Sequence, residues 1–113
     1  MIKKSFTKIF TVNDRLNIQI WYVEKKKIVK FSLNYQSYIK GGYRDIYRVD
    51  ECHNILHEHK FWRGEERIPI EEEGLSKKEI MNKYIDKICL EYDKYKKYYK
   101  ERSEKGFEDE KEK

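Results

Sequence analysis

Arg15-Leu16-Asn17-Ile18-Gln19-Ile20-Trp21-Tyr22-Val23-Glu24 decides the fold class of this 113-residue chain. Leu16, Ile18, Ile20 and Tyr22 alternate with other side chains, and a period of two marks a strand with one face in a core and the other in water. The pattern spreads in both directions. Upstream, residues 4–11 read as a first strand and Asn13-Asp14 as the turn that closes it. Downstream, Lys25-Lys26-Lys27 reads as a charged turn, and Val29, Phe31, Leu33 and Tyr35 carry the alternation through a third strand. Gly41-Gly42 supplies the positive φ angles of a tight hairpin. The fourth strand then places Tyr43, Asp45, Tyr47 and Val49 on one face and Arg44, Ile46, Arg48 and Asp50 on the other. After a kink at residues 52–54, residues 56–62 form a fifth strand. It puts His57 and His59 on one face and Glu58 and Lys60 on the other. Pro69 and Glu71-Glu72-Glu73-Gly74 mark a connecting loop.

The second half reads differently. Ser76-Lys77-Lys78-Glu79 has the spacing of a capping box, and Met81, Ile85, Ile88, Tyr92, Tyr95 and Tyr99 step by four and three along one helical stripe, widened by Ile80, Tyr84 and Cys89. A meander followed by one long amphipathic helix has few ways to bury both apolar faces. The expectation is therefore an α+β fold: an antiparallel sheet of four to five strands, with a helix over residues 76–103 packed on one face. Residues 1–105 form a single domain in this reading, and 106–113 a charged mobile tail. A helix of that length outruns such a sheet, so its tyrosine-rich end is a candidate homodimer surface.

Composition narrows the classes. The chain is 42% charged and 15% aromatic, with ten tyrosines, which argues against disorder over most of its length. Residues 1–70 hold 14 Lys/Arg against 8 Asp/Glu, a net of +6, and residues 71–113 hold 12 against 13, a net of −1. The positive excess favours a polyanionic partner such as RNA. Cys52 and Cys89 make no disulfide or Cys-x-x-Cys pattern. With no signal-peptide or membrane-length apolar run, the reading is a reduced, cytoplasmic protein with no membrane partner. The Lys/Glu/Ile-rich bias is that of a thermophile or of AT-rich coding.

The chemistry concentrates between Tyr43 and Trp62. All three histidines, His53, His57 and His59, fall within seven positions there, just after Arg48-Val49-Asp50. Two histidines one strand step apart can share a metal, which is a third reading of the cluster, but their spacing matches no established zinc motif, so the expectation is no metal and no cofactor. Metal-free RNA cleavage through the 2′-hydroxyl needs proton-transfer groups and positive charge on the phosphate. His57, His59 and His53 supply the first, with Asp50 to orient a histidine. Arg44 and Arg48, expected two steps apart on one strand face, supply the second, with Lys60 and Tyr47 as further RNA-binding candidates. Tyr43, Tyr47, Phe61 and Trp62 are either base-stacking groups or core. A non-catalytic module that binds nucleic acid or a protein explains the same residues.

Across Phe31-Ser32-Leu33-Asn34-Tyr35, Tyr43-Arg44-Asp45-Ile46-Tyr47-Arg48-Val49-Asp50 and His53-x3-His57-x-His59, the chain resembles a family of small prokaryotic domains. Tyr92-Asp93-Lys94-Tyr95-Lys96-Lys97-Tyr98-Tyr99 resembles that family's tyrosine-rich helix end. The pattern is similar to that of TumE-type toxins of toxin–antitoxin pairs. That resemblance implies a toxin acting on RNA, possessing a small DNA-binding antitoxin encoded nearby as partner, with Arg48, Asp50, His53, His57 and His59 at the hallmark positions. Val49 stands where an aromatic is common, and Glu51-Cys52 where Asn and a small residue are usual.

Overall fold

A computed structural model of the chain describes the backbone of residues 1–24 and 27–111 and the side chains of residues 1–24 and 27–103. Of the expected lysine turn, Lys25 and Lys26 lie outside the described residues. The elements are β1 (Ile2–Thr11), β2 (Asp14–Val23), β3 (Lys27–Ile39), β4 (Gly42–Cys52), β5 (Ile55–Lys60), a 3-10 turn (Phe61–Arg63), β6 (Arg67–Pro69) and α1 (Lys77–Lys111). The strands form one antiparallel sheet in the order β1-β2-β3-β4-β5-β6. This is the α+β meander that the alternation implies, with one strand more than expected. The extra strand is β6, in the stretch read as a connecting loop. It pairs through His57↔Pro69, and proline is tolerated on an edge strand, where a missing N–H need not break the ladder.

Two hairpins differ in detail from the expectation. Ile39 pairs with Gly42, so the β3–β4 turn is Lys40-Gly41, with φ of 51° and 86°, one residue earlier than Gly41-Gly42. The kink at residues 52–54 is a two-residue turn, His53-Asn54, with φ of 54° and 65°. Positive φ at both central positions matches the right-handed twist of the flanking strands, and His and Asn adopt it more readily than most residues.

One irregularity in β4 controls everything that follows. Tyr35 pairs with Tyr47 but Gln36 pairs with Asp45, so Ile46 is an extra residue in the strand. Such a bulge reverses which side chains face which way. Ile46 and Tyr47 both turn inward and are fully buried.

Helix α1 lies mainly over β3 and β4. Ile80, Met81, Ile88 and Tyr95 close the core against Leu16, Ile18, Phe31, Leu33, Tyr35, Val49 and Leu56. Rings stack along this contact: Phe10 on Tyr92 at 4.6 Å and Tyr47 on Tyr95 at 4.8 Å, with Trp62 5.3 Å from Tyr95. The Glu79 N–H donates to Ser76 Oγ at 3.1 Å, the capping contact that the sequence suggests. Lys77 then ties the first turn to Glu51 at 2.8 Å and Glu72 at 2.7 Å. The helix continues past residue 103 to Lys111, through a Lys/Glu-rich stretch of high helical propensity. At 35 residues it is about 52 Å long, and the longest dimension of the molecule is 56 Å. No described element covers the other face of the sheet.

Candidate functional site

The register of the middle strands sorts the candidate residues into two groups. Arg48 pairs with Asn34 on β3 and with His59 on β5, while Asp50 pairs with His57. These positions alternate with Val49 and Glu58, which are buried beneath α1. Arg48, Asp50, His57 and His59 therefore share the open face. Tyr47, Glu58 and Lys60 share the covered one.

The polar alternates of β1, β2 and β3 extend that open face. Thr7 donates to Asn17 Oδ1 at 2.8 Å; Asn17 Nδ2 and Arg15 Nε both donate to Gln36 Oε1, at 2.8 and 3.0 Å. Gln36 Nε2 and Asn34 Nδ2 donate to Asp45 Oδ1 at 2.7 and 3.1 Å, and Arg48 Nη2 reaches Asp45 Oδ2 at 3.4 Å. Asp45 is thus the common acceptor of the lattice. Some groups are left over. Asn34 Oδ1 and His57 Nδ1 are buried atoms without a hydrogen-bond partner, and the Asp50 side chain makes no hydrogen bond or ion pair among the described residues. Beside them lies a hollow of about 490 Å³ walled by Ser5, Thr7, Gln19, Ser32, Arg48 and Asp50 with the two asparagines. Its walls are mainly polar, with Phe6 and Ile18 the apolar members, which suits a ligand rich in hydrogen-bonding groups.

Aromatic groups flank the lattice at both ends. Trp21 lies between Lys3 and Lys30, whose ammonium groups are 5.1 and 4.8 Å from its ring centre. At the other end the Arg15 guanidinium sits 3.5 Å over Tyr43, which meets Tyr38 edge-on at 5.4 Å. Each pairing combines a flat ring with a cation, a geometry worth about 0.5–1 kcal/mol where exposed. Neither Trp21 nor the lysines beside it stand out in the sequence; only their place in the alternation marks them.

Individual candidates fare differently. His59 is 8% exposed. Its ring stacks on Phe61 at 3.8 Å, and Nε2 lies 2.9 Å from the Gly64 carbonyl, which accepts a hydrogen bond when that nitrogen carries the proton. It fastens the 3-10 turn to β5. His53 is exposed in the β4–β5 turn, outside the lattice. His57 remains, half-buried and directly across from Asp50, with no hydrogen bond joining the two.

Arg44 corrects the expectation that it shares a face with Arg48. It pairs with Ser37 on the covered side, because the Ile46 bulge inverts β4 between the two arginines, and it donates to the Ile39 and Lys40 carbonyls at 3.3 and 3.4 Å. Tyr47 is fully buried and donates to Glu58 Oε1 at 2.9 Å. Burial, and then the Glu58 charge, hold its hydroxyl far above the ordinary tyrosine range. Lys60 Nζ is 3.8 Å from the same carboxylate. Both belong to the underside of the sheet, as does Trp62.

Among the described residues no group of three or more His, Cys, Asp or Glu side chains is placed to hold a metal ion, and no helix is long and apolar enough to cross a membrane. No protein-family model matches the chain, and no curated protein and no solved structure is significantly similar to it.

Proposed function

We propose that this protein acts on RNA through the open face of its sheet, as a TumE-like, toxin-type, metal-independent endoribonuclease of the cytoplasm. The observation that carries the reading is the β4–β5 register, which brings Arg48 and His57 to one uncovered polar surface. Arg48 holds the scissile phosphate and neutralises the charge it gains. His57 takes the 2′-hydroxyl proton. The 2′-oxygen then bonds to the adjacent phosphorus while the bond to the 5′-oxygen breaks, and water protonates the departing oxygen. Trp21 and Tyr43, each beside a cation, stack flanking bases. The resemblance supplies the partner, a small antitoxin encoded nearby. Tyr98, 38% exposed on α1, is the part of the tyrosine-rich stretch left for a homodimer, because Tyr92 and Tyr95 pack against the sheet.

The test is incubation of single-stranded RNA with wild type, Arg48→Ala and His57→Ala. Cleavage by wild type that falls at least about a hundredfold in His57→Ala supports the ribonuclease. A second reading, a non-catalytic nucleic-acid module, is favoured by the single available imidazole of the face. It predicts salt-dependent binding without product, weakened by Arg48→Ala. Neither cleavage nor binding would remove RNA from the account.

A further inference from the structure

The hollow beside β4 has a hydrogen-bonding pattern of its own. Arg48 and Asp50 are two residues apart on the same face, about 6.7 Å along the strand. Arg48 makes one 3.4 Å contact to Asp45 and lies 5.7 Å from the Phe61 ring centre, which leaves most of its fork of donors open to a ligand. Asp50 offers two carboxylate oxygens with no partner among the described residues. Asn34 Oδ1 is a buried acceptor facing no donor, and Gln19, Ser5 and Ser32 line the same wall. The surface therefore asks for a flat group with two adjacent donors next to an acceptor. Among the four RNA bases only guanine presents that edge, with N1–H and the 2-amino group beside O6. Cytosine and adenine each put a single exocyclic donor beside ring acceptors, and uracil puts its one N–H between two carbonyls.

We propose that this hollow is a guanine-reading subsite for single-stranded RNA. Asp50 accepts from N1–H and the 2-amino group, and one arm of the Arg48 guanidinium donates to O6, its remaining N–H donors staying available to the phosphate. The inference rests on the reading of the open face as an RNA surface and gives that surface a sequence preference. It requires an unpaired base, because the edge it reads is occupied in a duplex; single-stranded RNA is commonly recognised on that edge. Pairing of this bidentate kind discriminates between bases by about tenfold or more.

Fluorescence anisotropy on a uridine heptamer and on the same heptamer with a central guanine, inosine, adenine or cytosine tests it. The guanine heptamer binds about tenfold or more tightly than the others, inosine loses most of the gain because it lacks the 2-amino group, and Asp50→Asn collapses the guanine-to-uridine ratio. Guanosine 5′-monophosphate, titrated against the other three mononucleotides, reads the subsite without a polymer. Equal affinity for all five heptamers overturns the subsite and leaves RNA binding standing. Mononucleotide selectivity without heptamer binding supports the subsite and overturns the RNA surface. No binding in either format overturns both. The inosine comparison uses wild-type protein, so it stands even if a variant misfolds.

Discussion

The two faces of the sheet share strands and differ in almost every other respect. Under α1 the alternate residues are Leu16, Ile18, Phe31, Leu33 and Tyr35, all 2% exposed or less. On the opposite side the intervening positions are Arg15, Asn17, Gln19, Ser32, Asn34 and Gln36, of which Arg15, Asn17, Asn34 and Gln36 are joined with Asp45 by amide and carboxylate hydrogen bonds. Even the polar groups differ in use. Asp14 and Glu58 beneath the helix each take a tyrosine hydroxyl, from Tyr35 at 2.7 Å and Tyr47 at 2.9 Å, and each has a helix lysine nearby, Lys96 at 3.3 Å and Lys87 at 3.9 Å. Those groups are satisfied where they stand. On the open side Asp50, Asn34 Oδ1 and His57 Nδ1 are not. The lesson is a division of labour: one surface holds the fold together, and the other carries hydrogen-bonding groups that no described residue uses.

Substitutions on the covered side should break that division most visibly. Leu33→Ala, at a fully buried position, is expected to cost about 2–5 kcal/mol in chemical denaturation. Asp14→Asn comes next, at about 1–3 kcal/mol, because Tyr35, Ser37, Thr11 and Lys96 all donate to that carboxylate. Burial pushes the Asp14 pKa up, but the four hydrogen bonds outweigh it and hold the group below the usual carboxylate value. A depressed folded-state pKa stabilises the fold above the ordinary aspartate value of about 3.9, and that contribution is lost as pH falls through the lower folded value. Wild type should therefore lose stability below about pH 4 more steeply than Asp14→Asn. A parallel acid limb in the two proteins would show that Asp14 is not the group responsible.

The open side should give the smallest stability changes. Arg48→Ala and His57→Ala are expected to stay within about 0.5 kcal/mol of wild type, while RNA binding weakens in the first and cleavage fails in the second. Arg48 pairs with Asp45 through a contact between two partly exposed side chains and lies 5.7 Å from the Phe61 ring centre, and exposed contacts of these kinds are worth little. If Arg48→Ala instead unfolded the protein, the lattice would be a structural element and the contrast between faces would be lost.

Much of this arrangement was legible in the chain. Strict alternation in Arg15-Leu16-Asn17-Ile18-Gln19-Ile20 set the strands, and the four-and-three stepping from Met81 to Tyr99 set the helix and its buried side. His57 opposite Glu58 followed from the period alone, and the register then put His57 across from Asp50. The Ile46 bulge was not foreseen, because a single extra residue carries no composition signal. In retrospect it left one trace. Asp45 sits in the otherwise apolar set of β4 and Ile46 in the otherwise charged set, and inserting one residue there restores both faces. The same bulge moves Arg44 off the face its spacing implies. Strand β6 hid behind Pro69, which argues against a central strand and says nothing against an edge. The open lattice was visible only as unremarkable polar spacing, since amides and hydroxyls acquire meaning when neighbouring strands bring them into rows.

Strictly sequential strand order bears on how the molecule assembles. Each ribbon finds its neighbour across a short turn, so loop closure is brief at every step and the sheet can zip from one end toward the other as the chain leaves the ribosome. Late arrival then falls to α1, which must travel back over the middle strands before their apolar side is shielded. Until it docks, a broad greasy underside is open to the surroundings, which makes that last step the natural moment for capture by a chaperone or for aggregation.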